Sequence, residues 1–155
     1  MKIQKKLYWL KEYIDLAGKF LPEVKYIVQV REIFHQDGKT QQIHASLTQE
    51  FFFGTYVLSF YTSYRRRLNK KKEYERNDYS KIDMLGHLAH ELAHLKHWYH
   101  TPEHKELESE LAILFMRHLL KSGYVSEEEE LRGKRKEKRQ SERAAKKTRG
   151  KTLAS

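Results

Sequence analysis

Four leucines and four histidines between Leu85 and His97 constrain this chain more tightly than any other stretch. At about 100° per residue, Leu85, Leu88, Leu92 and Leu95 share one side of a helix, and His87, His90, His94 and His97 fall nearly opposite them. The segment therefore predicts an amphipathic helix that buries leucine and presents imidazole. Ser80, followed three residues later by Asp83, supplies a capping box for its first turn, and Ile82 and Ala89 extend the apolar stripe. Six of the nine histidines lie between Gly86 and His104.

The chain contains no cysteine, so disulfides and thiolate ligands are excluded and a transition-metal site must use imidazole and carboxylate. Residues four apart are neighbours on a helix, so His90 and His94 can reach one ion at about 2.0–2.1 Å from each nitrogen. With Glu91 between them they spell His-Glu-x-x-His, here "HELAH". In that pattern the two histidines hold zinc, and the carboxylate beside the first can take a proton from an activated water without closing the coordination sphere. A catalytic zinc needs a third protein ligand and one open position. Three candidates stand in the sequence. His100 precedes a turn that can bring it back to the ion, Glu110 lies on the next predicted helix, and His104 shares that helix's first turn. His87 and His97 read as solvent-facing or supporting residues, His35 and His44 as ordinary polar residues, and His118 as a hydrogen-bonded core histidine.

Around this helix the chain reads as one α+β domain over residues 1–124, followed by a basic tail over 125–155. Ile3, Leu7, Leu10, Ile14, Ala17 and Leu21 recur at steps of four and three, which predicts an N-terminal helix ended by Pro22. "KYIVQVREIF" and "TQQIHASLTQ" flank "HQDGK", whose Asp-Gly pair suits a tight hairpin turn. "TYVLSFYT" reads as a third strand, giving a small, mostly antiparallel three-stranded sheet. Six Lys/Arg in the eight residues Arg65 to Lys72 predict a solvated loop. Thr101 and Pro102 open a further helix whose stripe is Leu107, Leu111, Leu114 and His118, closed by Gly123.

Charge is unevenly placed. Leu131 to Ser155 holds eleven Lys/Arg against two Glu, nearly all of the net +10. A tail without periodic large apolar residues cannot offset its ordering entropy, so a flexible segment or at most a frayed helix is expected. Its cations, Arg135, Lys136, Lys138, Arg139, Lys146 and Lys147 among them, are candidates for salt-dependent nucleic-acid contact. The first twenty residues alternate charged and apolar groups and resemble neither a signal peptide nor a membrane span, so a cytoplasmic protein with no membrane partner is expected.

With these residues placed, "HELAHLKHWYHTPEH" resembles the active-site segment of the SprT-like and YgjP-like zinc metallopeptidases. The resemblance implies a minimal zincin-like fold and one zinc ion per chain. It makes His90, His94 and His100 the ligands and Glu91 the general base, with Thr101 in the small-residue place and His104 where that family carries an aromatic. It implies hydrolysis of a protein or peptide lying along the sheet edge, and a link to DNA-associated proteins that a basic tail would suit. "HELAH" followed by "ELESELAILF" is also similar to metallopeptidases that cleave phage repressors, which would make Glu110, or else Glu108, the third ligand. Outside these families, two readings compete: a nucleic-acid-binding protein braced by a structural zinc with four protein ligands, His90, His94, His100 and Glu110, and a metal-free helical adaptor.

Overall fold

The computed structural model describes residues 1–33, 44–50, 54–68, 74–124 and 127–153. The chain is α+β, and it divides into two compact units, Met1–Arg117 and His118–Ser155.

The first unit opens with a two-residue strand β1 (Lys2–Ile3), a 3-10 turn over Lys5–Leu10 and helix α1 (Lys11–Gly18). The continuous helix expected over Ile3–Leu21 is thus replaced by three short elements. Pairing decides the difference. Ile3 sits opposite Val30 in a parallel ladder, and the Gln4 amide donates to the Val30 carbonyl at 3.0 Å, which holds the first residues extended. The apolar spacing still marks burial correctly, because Leu7, Leu10, Ile14, Ala17 and Leu21 are all essentially inaccessible to solvent.

A 3-10 turn over Pro22–Tyr26 leads into β2 (Ile27–Glu32), and β3 (Ala45–Glu50) and β4 (Thr55–Phe60) follow. These strands form one mixed sheet in the order β1-β2-β4-β3, with β1, β2 and β4 parallel and β3 antiparallel to β4. The expected three-stranded, mostly antiparallel sheet is corrected accordingly. β2 and β3 are not hairpin partners, since β4 lies between them, and the Asp-Gly pair falls outside the described residues. Burial explains the insertion. Val57, Leu58, Ser59 and Phe60 are all buried, so β4 is the strand best suited to a position covered on both sides, while β3 carries exposed Thr48 and Gln49 and stays at the edge.

A hairpin of β5 (Ser63–Arg67) and β6 (Tyr74–Asp78) comes next. The basic run expected to be a solvated loop therefore begins as a strand, with Arg65 opposite Arg76 and Arg66 opposite Glu75; residues 69–73 lie outside the described residues.

Helix α2 (Lys81–Ala93) carries the histidine face. The Ser80 hydroxyl accepts from the Asp83 amide at 3.1 Å, the expected cap. Leu85, Leu88, Ala89 and Leu92 are fully buried, whereas Ile82, assigned to the same stripe, is exposed because it lies in the first turn beyond the core. Helix α3 (Pro102–Lys121) begins where the His104 amide donates to the Thr101 hydroxyl at 3.3 Å. Its inward stripe is His104, Leu111 and Phe115, rotated from the expected Leu107, Leu111 and Leu114. Phe115 meets the edge of Tyr13 with ring centroids 5.7 Å apart, which packs α3 on α1.

In the second unit, helix α4 (Glu127–Leu153) occupies the region expected to be a flexible or frayed tail, and its residues 129–151 are exposed. Lys134 pairs with Glu130 one turn away at 2.7 Å. No helix among the described residues is long and apolar enough to cross a membrane.

Candidate metal centre

Four imidazoles converge where α2 ends and α3 begins. One nitrogen from each of His90, His94, His100 and His104 lies within 4.8 Å of the others, close enough to hold a metal ion. Local geometry explains the convergence. His90 and His94 are successive turns on one face of α2, and the link from Leu95 to Thr101 reverses the chain so that His100 comes back over His90.

Within the group, three Nε2 atoms form the tight set. Nε2 of His90 lies 3.3 Å from Nε2 of His94 and 3.1 Å from Nε2 of His100. A tetrahedral ion with metal–nitrogen bonds of about 2.0–2.1 Å spaces its ligand nitrogens about 3.3–3.4 Å apart. The spacing fits such an ion.

The opposite ring nitrogens point the same way chemically. Nδ1 of His94 donates to the His97 carbonyl at 3.2 Å, and Nδ1 of His90 lies 3.1 Å from a Glu108 carboxylate oxygen. With the proton held on Nδ1, the lone pair is left on Nε2, the arrangement by which acceptors around metal sites orient ligating histidines. Burial also favours the neutral form of His94, lowering its pKa, with His104 beside it adding to the effect.

His104 is arranged differently. It is only 2 % exposed, and its Nε2 donates to the His90 carbonyl at 3.1 Å, so that nitrogen is engaged with backbone. Burial lowers its pKa as well. Its ring lies 4.1 Å from that of His94, centroid to centroid.

Glu91 is buried between α2 and β3 and lines the same cleft as His90, His94 and His100. Its carboxylate accepts from the Leu47 amide, while burial pushes its pKa up. Leu47 thus turns its N–H away from β4, and the period-two alternation of an antiparallel pair places the N–H and C=O groups of Ala45, Leu47 and Gln49 along the edge that no strand among the described residues pairs. The cleft, about 700 Å³, runs between this edge and α2 and is also lined by His44, His87 and Trp98.

Of the residues singled out from sequence, His90, His94, His100 and Glu91 come together. Glu110 does not. It is exposed and lies outside the group, while Glu108 carries the carboxylate that reaches His90. The reason is rotational: His104, Glu108, Leu111 and Phe115 follow at steps of four, three and four on one face, and Glu110 is turned well away from it. That spacing is readable in the sequence.

His44, expected to be an ordinary polar residue, lines the cleft. Its Nδ1 is 2.6 Å from the Tyr79 hydroxyl, and its ring stacks on His87 with centroids 4.9 Å apart. No local signal points to this pairing, because it depends on the register of β3 against α2. His35 lies outside the described residues. Arg135, Lys136, Lys138, Arg139, Lys146 and Lys147 are exposed on α4. Arg132, Arg135, Lys136, Arg139, Arg143, Lys146 and Lys147 share an arc of about 120° on that helix.

Comparison with protein-family models, characterised proteins and solved structures finds no match for this chain.

Proposed function

We propose that the chain is a zinc-dependent metallopeptidase of the SprT-like or YgjP-like kind, with His90, His94 and His100 as ligands and Glu91 as general base. The observation that carries this reading is the approach of the His94 and His100 Nε2 atoms to within 3.3 and 3.1 Å of the His90 Nε2, close to the spacing of tetrahedral ligands, beside a buried carboxylate. Zinc held there would supply a Lewis acid that acidifies a water and stabilises negative charge on a carbonyl oxygen. Glu91, fixed by the Leu47 amide, takes the proton of the attacking water and delivers it to the leaving amine. A peptide adding to the edge of β3 that no described strand covers finds backbone partners in Ala45, the Leu47 carbonyl and Gln49 and brings its carbonyl toward the histidines.

The test is Glu91→Gln. One zinc per chain should be retained and peptide hydrolysis lost; undiminished turnover, or no stoichiometric zinc in the wild type, would sink the assignment.

A structural zinc closed by four protein ligands is the competing reading; Glu110 is not in the group, and His104 takes the place expected of it as fourth ligand. Cobalt substitution separates the two. An open site changes its visible spectrum when a hydroxamate is added, and a closed four-histidine site does not.

The arc of cations on α4 supports a polyanion, and DNA in particular, as a second partner, which suits an enzyme acting on DNA-associated proteins.

A further inference from the structure

Trp98 stands in the link between two of the converging histidines, and nearly half of its surface is exposed, at 46 %. Its ring centroid lies 6.4 Å from that of His94 and 6.3 Å from that of Tyr56 on β4. Tyr56 therefore supports one side of the indole, and the rest of it lines the cleft together with Leu47. An indole left open to water beside a polar site loses the gain of burial unless something apolar covers it.

Its place along the cleft can be read from the strand register. Tyr56 sits opposite Gln49, so Trp98 marks the Gln49 end of β3. The Leu47 amide meets Glu91 in the middle, and His44 meets His87 toward the other end. A peptide pairing antiparallel to β3, the more stable mode of pairing, runs from the Gln49 end toward the Ala45 end. Residues on the N-terminal side of the scissile bond then fall beside Trp98.

We infer that Trp98 is a specificity-determining residue that selects substrates with a large apolar or aromatic side chain immediately N-terminal to the bond cleaved. The inference rests on the peptidase reading of the site. An apolar subsite discriminates by about 10–200-fold per methylene group, and ring-on-ring contact with an aromatic residue adds to this.

Two measurements test it. The first maps cleavage of blocked alanine peptides carrying a single Phe, Leu, Asp or Lys. The zinc-loaded enzyme should cut after Phe or Leu at least tenfold faster in kcat/KM than after Asp. Trp98→Ala should reduce that ratio below about threefold while still cutting, and Trp98→Phe should keep it. Equal rates for all four peptides, a preference on the C-terminal side of the bond, or a ratio unchanged in Trp98→Ala would overturn the inference and leave the peptidase reading standing.

The second needs no turnover. The chain has two tryptophans, and Trp9 lies against Tyr13 and under Lys81, outside the cleft. In the zinc-loaded Trp9→Phe, Glu91→Gln protein, the Phe peptide should shift Trp98 emission to shorter wavelength in a saturable way, and the Asp peptide should not. Absence of the shift refutes the contact whether or not the wild type cleaves, whereas failure of the wild type to cut any peptide counts against the peptidase reading itself.

Discussion

A carboxylate oxygen of Glu108, on α3, lies 3.1 Å from Nδ1 of His90, on α2. It orients the imidazole so that Nε2 faces the other two converging nitrogens. Glu108→Ala should therefore weaken zinc binding by about 10–100-fold, the usual cost of removing such a support. Glu110→Ala, at an exposed position two residues away, should leave it unchanged. Competition with a chromogenic chelator measures both, and equal effects of the two substitutions would remove the role assigned to Glu108.

His87 makes the fold acid-sensitive. Burial, with stacked His44 next in effect, holds its pKa down to about 4, against 6.5 for an ordinary histidine. Its Nδ1 is buried with no hydrogen-bond partner among the described residues, so a proton there gains no hydrogen bond from them, and the Asp83 charge offsets the burial only in part. Between the two values the unfolded chain binds more protons, and stability is lost as pH falls from about 6.5 toward 4. Allowing for solvent that reaches the ring, the loss is about 1–2 kcal/mol. Urea unfolding of the metal-free protein at pH 7 and pH 4.5 should show a smaller decline for His87→Gln than for the wild type; parallel declines would mean that His87 does not titrate in this window.

Phe115, not Leu114, anchors α3. Phe115 is fully buried against the edge of Tyr13, and Leu114 is half-buried one residue away. Phe115→Ala should cost about 3–5 kcal/mol, and Leu114→Ala clearly less. Chemical denaturation compares them, and a larger loss at Leu114 would place the inward face of the helix where the leucine spacing alone puts it.

Removal of residues 131–155 deletes eleven of the chain's 31 Lys/Arg, including the arc on α4. Affinity for duplex DNA should fall, and the slope of log K against log salt should flatten, because the shortened chain neutralises fewer phosphates and so displaces fewer counterions. Binding isotherms at several salt concentrations decide the matter. An unchanged slope would leave α4 as a solvated terminus.

Much of the site was legible in the sequence because its signals are local. Rotation of 100° per residue places His90 and His94 together, Ser80 and Thr101 begin the two helices that frame the cleft, and Glu91 follows from its place between the two histidines. The same rotation, applied from His104 instead of Leu107, would have selected Glu108 over Glu110 and Phe115 over Leu114. The N-terminal spacing likewise identified which residues are buried, but not that Ile3 joins a sheet.

What only the tertiary structure decided depends on which distant segments pair. Alternation of side chains shows that a segment is a strand and is silent about its neighbours, so the insertion of β4 between β2 and β3 could not be read from either strand. That insertion leaves β3 at the edge, where the Leu47 amide meets Glu91 and His44 stacks on His87. Periodicity by itself determined a helix with one imidazole face and the neighbouring pair His90 and His94 on it. Long-range burial, which rewards the most apolar strand with the central place, determined what that face looks onto.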